Sequence, residues 1–202
     1  MSKSYDKIQN KLKSIGISPK SLEKHSESEV KAIEQKYNIT LPDEYKNFLM
    51  NFGEVTFKSD VNYSPAKDYP WTTNESNEKI VNFYGLGNNQ FSLQKAIETY
   101  IERMPSSIIP IAECPAGNQI CICVCGQNYG EIYLWNHEQE LEAFKMLYPE
   151  KDYPSIDEYW ENLYFTAQSF LDFINSFYIA DTETPKEILA DIEVWLDDDL
   201  LE

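Results

Sequence analysis

The sequence predicts an α+β domain, and three observations carry that prediction. Short apolar runs joined by turn-rich links fill the centre of the chain. Apolar residues at helical spacing lie on both sides of that centre. The 202 residues are 42% hydrophobic and 14% aromatic, enough to bury a sizeable core and to exclude wholesale disorder.

In chain order, Tyr5, Ile8, Leu12 and Ile15 form one helical stripe, which Gly16 and Pro19 end. With its lysines, the stretch 1–25 is expected to be a basic helical appendage ahead of a domain over 26–180. Ser26 and Glu29 have the spacing of a capping box, and Val30, Ile33 and Tyr37 follow on one face. Leu41-Pro42-Asp43-Glu44 opens the next helix, because proline and acids both suit a first helical turn. Tyr45, Phe48, Leu49 and Phe52 supply its inner face and Gly53 its stop, so 26–53 reads as a helical hairpin. Residues 56–79 are polar and interrupted by Pro65 and Pro70, which predicts a long loop. Residues 80–86 read as a strand. Leu93, Ala96, Ile97, Tyr100, Ile101 and Met104 predict a helix over 92–103.

The centre then reads as three strands, over 107–112, 118–125 and 130–135. Their links, Cys114-Pro115-Ala116-Gly117 and Gly126-Gln127-Asn128-Tyr129, are too short for parallel crossovers, so the strands are antiparallel. The middle strand puts Ile120, Ile122 and Val124 on one face and Cys121, Cys123 and Cys125 on the other. Both faces are apolar, which predicts a central strand covered on both sides. Ser169 can cap a helix carrying Phe170, Phe173, Ile174, Phe177 and Tyr178. Thr184-Pro185 opens a last one, an acidic helix within 181–202 that packs on the domain or extends it.

Charge narrows the function classes. Lys plus Arg is 17 and Asp plus Glu is 34, a net charge of −17. Such a chain is repelled by phosphate backbones, which argues against nucleic-acid binding. Residues 1–25 hold six lysines against Asp6 and Glu23, whereas 181–202 hold nine acids and only Lys186. That acidic end reads either as a solubilising tail or as a docking surface that mimics a phosphate backbone for a basic partner. No apolar run approaches a membrane span and the N-terminus has no signal-like apolar stretch. The expected location is therefore the cytoplasm, with its cysteines reduced and no membrane partner. The oligomeric state is open.

Chemistry-bearing patterns are few. Same-face side chains on a strand stand about 7 Å apart, while zinc needs its sulfurs at about 2.3 Å from one point. Cys121, Cys123 and Cys125 are therefore expected as three buried thiols and not as a metal site. There is no nucleophile elbow, no Walker sequence and no complete Gly-rich dinucleotide loop. Arg103 is the only arginine, so no multi-arginine clamp can form. A hydrolase would have to use His137 with Glu131 or Glu138, and requires them to converge in a pocket. The expectation is a non-catalytic binding module without cofactor or metal.

Several blocks resemble the SUKH superfamily, in particular its cell-wall-assembly-regulator branch. They are Ile39-Thr40-Leu41-Pro42-Asp43-Glu44-Tyr45 with Phe48-Leu49 and Phe52-Gly53, then Phe83-Tyr84-Gly85-Leu86, Ile109-Pro110-Ile111-Ala112-Glu113, Ile120-Cys121-Ile122, the run from Tyr129 to Glu138, and Ser169-Phe170-Leu171-Asp172-Phe173-Ile174. Phe52-Gly53 stands where the family has an Asn-Gly. The resemblance spans residues 26–178. It implies a single domain with a central, mostly antiparallel sheet flanked by helices. It also implies a bacterial immunity protein that binds and neutralises a toxin, with a regulatory or scaffold protein that has no toxin partner as the alternative. The expected contact residues are exposed aromatics and acids near the sheet end and the polar loop: Glu113, Tyr129 and Glu131, then Trp71, Tyr159 and Trp160.

Overall fold

The computed structural model describes residues 3–15, 25–72 and 78–179; the acidic stretch 181–202 lies outside them. Helix α1 (Lys3–Ser14) is followed by α2 (Glu27–Tyr37) and α3 (Asp43–Asn51). The capping box is formed: the Glu29 N–H donates to the Ser26 hydroxyl and the Ser26 N–H to the Glu29 carboxylate. Asn38, in the left-handed region at φ 51°, ends α2. Pro42 stands just before α3, one position ahead of the first turn the sequence suggested for it.

The expected loop over 56–79 is strand at both ends, and only residues 64–72 are loop among its described residues. β1 (Val55–Tyr63) and β2 (Glu78–Phe83) pair antiparallel, with an irregularity between Thr56 and Val61. That irregularity interrupts the alternation of Val55, Val61 and Tyr63, and hides the strand from a period-two reading. α4 (Leu93–Tyr100), β3 (Ile108–Glu113), β4 (Gln119–Cys123) and β5 (Ile132–Trp135) follow close to their expected places. Then come α5 (Leu141–Leu147), β6 (Leu163–Ala167), α6 (Phe170–Asn175) and β7 (Phe177–Ile179). Phe177 and Tyr178, expected on the stripe of the helix capped by Ser169, are thus in a strand, paired with Tyr63 and Asn62 at the open edge of β1.

The seven strands form one sheet in the order β6-β5-β4-β3-β2-β1-β7, and every neighbouring pair is antiparallel. The sheet curls. Loop 64–72, leaving β1 near one edge, reaches β6 at the other: the Ala66 N–H donates to the Thr166 carbonyl at 2.7 Å, and the Tyr69 and Thr166 hydroxyls meet at 2.8 Å.

The concave face holds the main core. Phe83 is its centre, with Phe48 at 4.7 Å between ring centroids, Phe170 at 5.9 Å, Phe57 at 6.1 Å and Phe177 at 6.2 Å. The N-terminal helix, expected as an appendage, buries Ile8 and Leu12 completely in this same core, against α3 and α6. The other face carries a smaller core of Met104, Ile108, Cys121, Cys123, Tyr133, Trp135 and Leu163. β4 is therefore central and covered on both sides. Cys125 departs from the expected trio of buried thiols: it lies beyond the strand end, in the turn, and is exposed.

Candidate functional site

The residues singled out from the sequence fall into three places. Trp71, Tyr159 and Trp160 are turned inward. The Trp71 ring meets Tyr164 edge-on at 4.7 Å, and its indole N–H donates to Glu78 Oε1 at 3.0 Å. Burial raises the Glu78 carboxyl above its ordinary range, against the pull of that indole N–H. Tyr164 donates to the Gln139 side chain at 2.5 Å and Tyr159 to the Gln139 carbonyl at 3.0 Å. Trp71 and Tyr159 are thus linked through Tyr164 and Gln139. Tyr159 is only 4% exposed, so it cannot be the surface anchor the sequence suggested: its hydroxyl is spent holding the turn after β5. Trp160 is half-buried over Tyr133 at 5.4 Å and donates to the Asp157 carbonyl.

Glu113 ends β3, half-buried, close enough to Tyr84 and Tyr100 for its charge to oppose their ionisation. Burial is the main cause of the raised pKa at both tyrosines. The Tyr84 hydroxyl donates to Gln119 Oε1 at 2.7 Å.

Tyr129 and Glu131 sit together on the β4–β5 turn, at the opposite end of the β3–β4 pair. Gly130, at φ 90°, lets this turn lean on Pro42: an added Cβ would lie 3.8 Å from the Pro42 ring. Tyr129 is 45% exposed and lies in the field of Lys46, Asp43 and Glu34, although partial burial dominates its raised pKa. Lys46 bridges Asp43 at 3.1 Å and Glu34 at 3.7 Å. Glu131 accepts from Tyr133 at 2.5 Å and from Gln168 at 2.9 Å. The corner where this turn meets α2 and α3 therefore presents an exposed aromatic among carboxylates. Interface anchors are commonly of this kind, an amphipathic ring with a polar rim.

His137 and Glu131 do not converge. They flank β5, roughly 20 Å apart along the strand direction. His137 Nδ1 instead meets Glu140 Oε1 at 2.6 Å, and Glu140 also takes a forked pair of bonds from Arg103. Burial would raise the Glu140 carboxyl, but the bonds from Arg103 and His137 hold it below its ordinary range. The Arg103 guanidinium lies over Tyr100 at 4.8 Å and Trp135 at 5.5 Å. This arrangement ties α4's end to the turn after β5. Among the described residues, no group of three His, Cys, Asp or Glu side chains is placed to hold a metal ion. No helix among them is long and apolar enough to cross a membrane.

No helix or strand is predicted from the sequence over residues 136–168, where α5 exposes Met146 and Leu147. Leu141 is the buried residue of α5, while Ala143 and Phe144 are half-buried. Ile101, expected within the helix over 92–103, lies just past its end and is exposed.

Residues 24–176 match the SMI1 / KNR4 family (SUKH-1). The chain belongs to this family. The chain is 33% identical over 209 aligned positions to the SPbeta prophage-derived uncharacterized protein YokK of Bacillus subtilis (strain 168), covering 98% of each chain. A crystal structure of a protein from Pseudomonas syringae pv. tomato superposes with a TM-score of 0.41 at 20% identity, covering 68% of this chain and 89% of that one. Both Pro42 and the Tyr129 turn that leans on it lie within the matched residues.

Proposed function

We propose that this SUKH-1 protein is an immunity protein, which binds a cognate basic protein toxin and neutralises it without chemistry of its own. The net charge of −17 on a SUKH-1 fold carries the reading. A toxin that acts on nucleic acid needs a basic surface, and an inhibitor of opposite charge is steered onto it. The exposed Tyr129 with Asp43 and Glu131 around it is the contact patch proposed first, with Glu113 at the far sheet end as a second. The acidic stretch 181–202 adds to the steering field in this reading.

The test is a tagged pull-down from the native cell at low and high salt. The captured partner is then expressed alone and with this chain. One stoichiometric basic partner, released by salt, toxic alone and harmless in co-expression, is the expected result. Several salt-indifferent, non-toxic partners would instead assign the protein to regulation or scaffolding.

A further inference from the structure

A groove distinct from the Tyr129 corner opens where α4 ends. It is lined by Ile39, Ile97, Ile101, Met104, Ile108 and Ile156, with Glu102 and Asp157 on its rim, and holds about 280 Å³. That is just below the roughly 300–1,000 Å³ of small-molecule sites, and suits one or two side chains of a larger partner. Its backbone is unusual. The apolar spacing would carry α4 on past Ile101, but the helix stops at Tyr100 and Glu102 adopts φ 64°. The left-handed region is disfavoured for a residue with a Cβ. The result is an Ile101 that is 62% exposed at the lip of an apolar groove. The turn is closed by the Arg103 N–H donating to the Tyr100 carbonyl at 3.0 Å, and it is this turn that leaves Ile101 outside the helix.

We infer that this groove docks an apolar side chain from a lysine- or arginine-flanked segment of the protein partner. The inference rests on the basic-partner reading above and adds a surface to it. Charge selects the occupant. No lysine or arginine lines the groove, Glu102 has no ion-pair partner among the described residues, and Asp157 keeps its carboxylate at the rim while accepting the Ser106 N–H at 2.7 Å. A second copy would bring another −17 against these acids, and the chain's own residues 181–202 would bring nine more carboxylates. A basic segment gains from the same field that repels both.

The experiment uses the full chain with isoleucine methyl groups labelled for NMR. It is titrated with a synthetic peptide of Leu-Phe-Leu flanked by lysines, and with its glutamate-flanked twin. The lysine peptide is expected to shift the methyls of Ile101, Ile97, Ile108 and Ile156 and to leave Ile8 in the main core unmoved. Ile101→Ser, at an exposed position, should weaken it about tenfold. Glu102→Lys should weaken it too and admit the twin. Equal binding of both peptides, shifts scattered away from the groove, or a dimer that Ile101→Ser dissolves would each overturn the inference. Toxin neutralisation is read separately by co-expression. An Ile101→Ser chain that still neutralises fully removes the groove and leaves the immunity reading standing.

Discussion

Phe83 touches rings from α3, β1, α6 and β7, so no single element can collapse into the space it would leave. Phe83→Ala should cost about 3–5 kcal/mol, measured as a lower urea midpoint with an unchanged slope. At the surface, Glu29 offers a pH-dependent test. In the fold its carboxyl is pulled from 4.5 down to about 2, first by the Ser26 N–H, then by the bonds to His25 and the Ser26 hydroxyl. A depressed folded pKa stabilises fully above the unfolded value, and the contribution is lost as pH falls from 4.5 towards 2. The melting temperature should therefore exceed that of Glu29→Gln at neutral pH, with the gap closing across that window. A gap that stays constant would show that the charge of Glu29 is not what holds the cap. Ser26 and Glu29 were legible because the motif is local. Tyr159 was not, because its burial depends on a carbonyl twenty residues away in the chain.

At the scale of elements, what alternates regularly could be read and what is set by pairing could not. β3, β4 and β5 follow from apolar alternation and short links. β1 is disguised by its irregular register, and β7 forms because the edge of β1 offers unpaired backbone groups just where α6 ends. The proposed contact residues divide in the same way: Tyr129 stays on the turn where it was read and Glu131, expected in the strand over 130–135, lies just before that strand, while Trp71 and Trp160 are drawn half inward by rings distant in sequence. The strap from loop 64–72 to β6 is likewise a tertiary product. Tyr69→Phe should destabilise by about 1 kcal/mol, a modest loss because the Thr166 hydroxyl keeps the Tyr164 carbonyl as acceptor. The Ala66 amide, bonded to Thr166, should then exchange its hydrogen faster, whereas amides in β4 should not change. Equal acceleration in both would mean that the strap opens only with the whole sheet.

For the whole molecule, the excess of acids acts over longer range than any contact, yet salt at about 0.15 M screens exposed charges beyond about 8 Å. Steering by −17 should therefore show in the association rate with the proposed basic partner, falling as salt rises, while dissociation changes much less. The acidic stretch 181–202 can be separated from the rest of this field. Changing Asp197, Asp198 and Asp199 to Asn takes the net charge from −17 to −14 and leaves the described domain untouched. If these acids only add to the field, association slows modestly at low salt and the dissociation rate stays the same. If they occupy the partner's phosphate-binding surface, dissociation accelerates as well, and the difference persists at high salt because a buried charge pair is screened less than an exposed one. Stopped-flow association and dissociation traces at two salt concentrations distinguish the two. Truncation after Ile179 with no loss of affinity would remove the phosphate-mimic role and leave recognition to the folded domain.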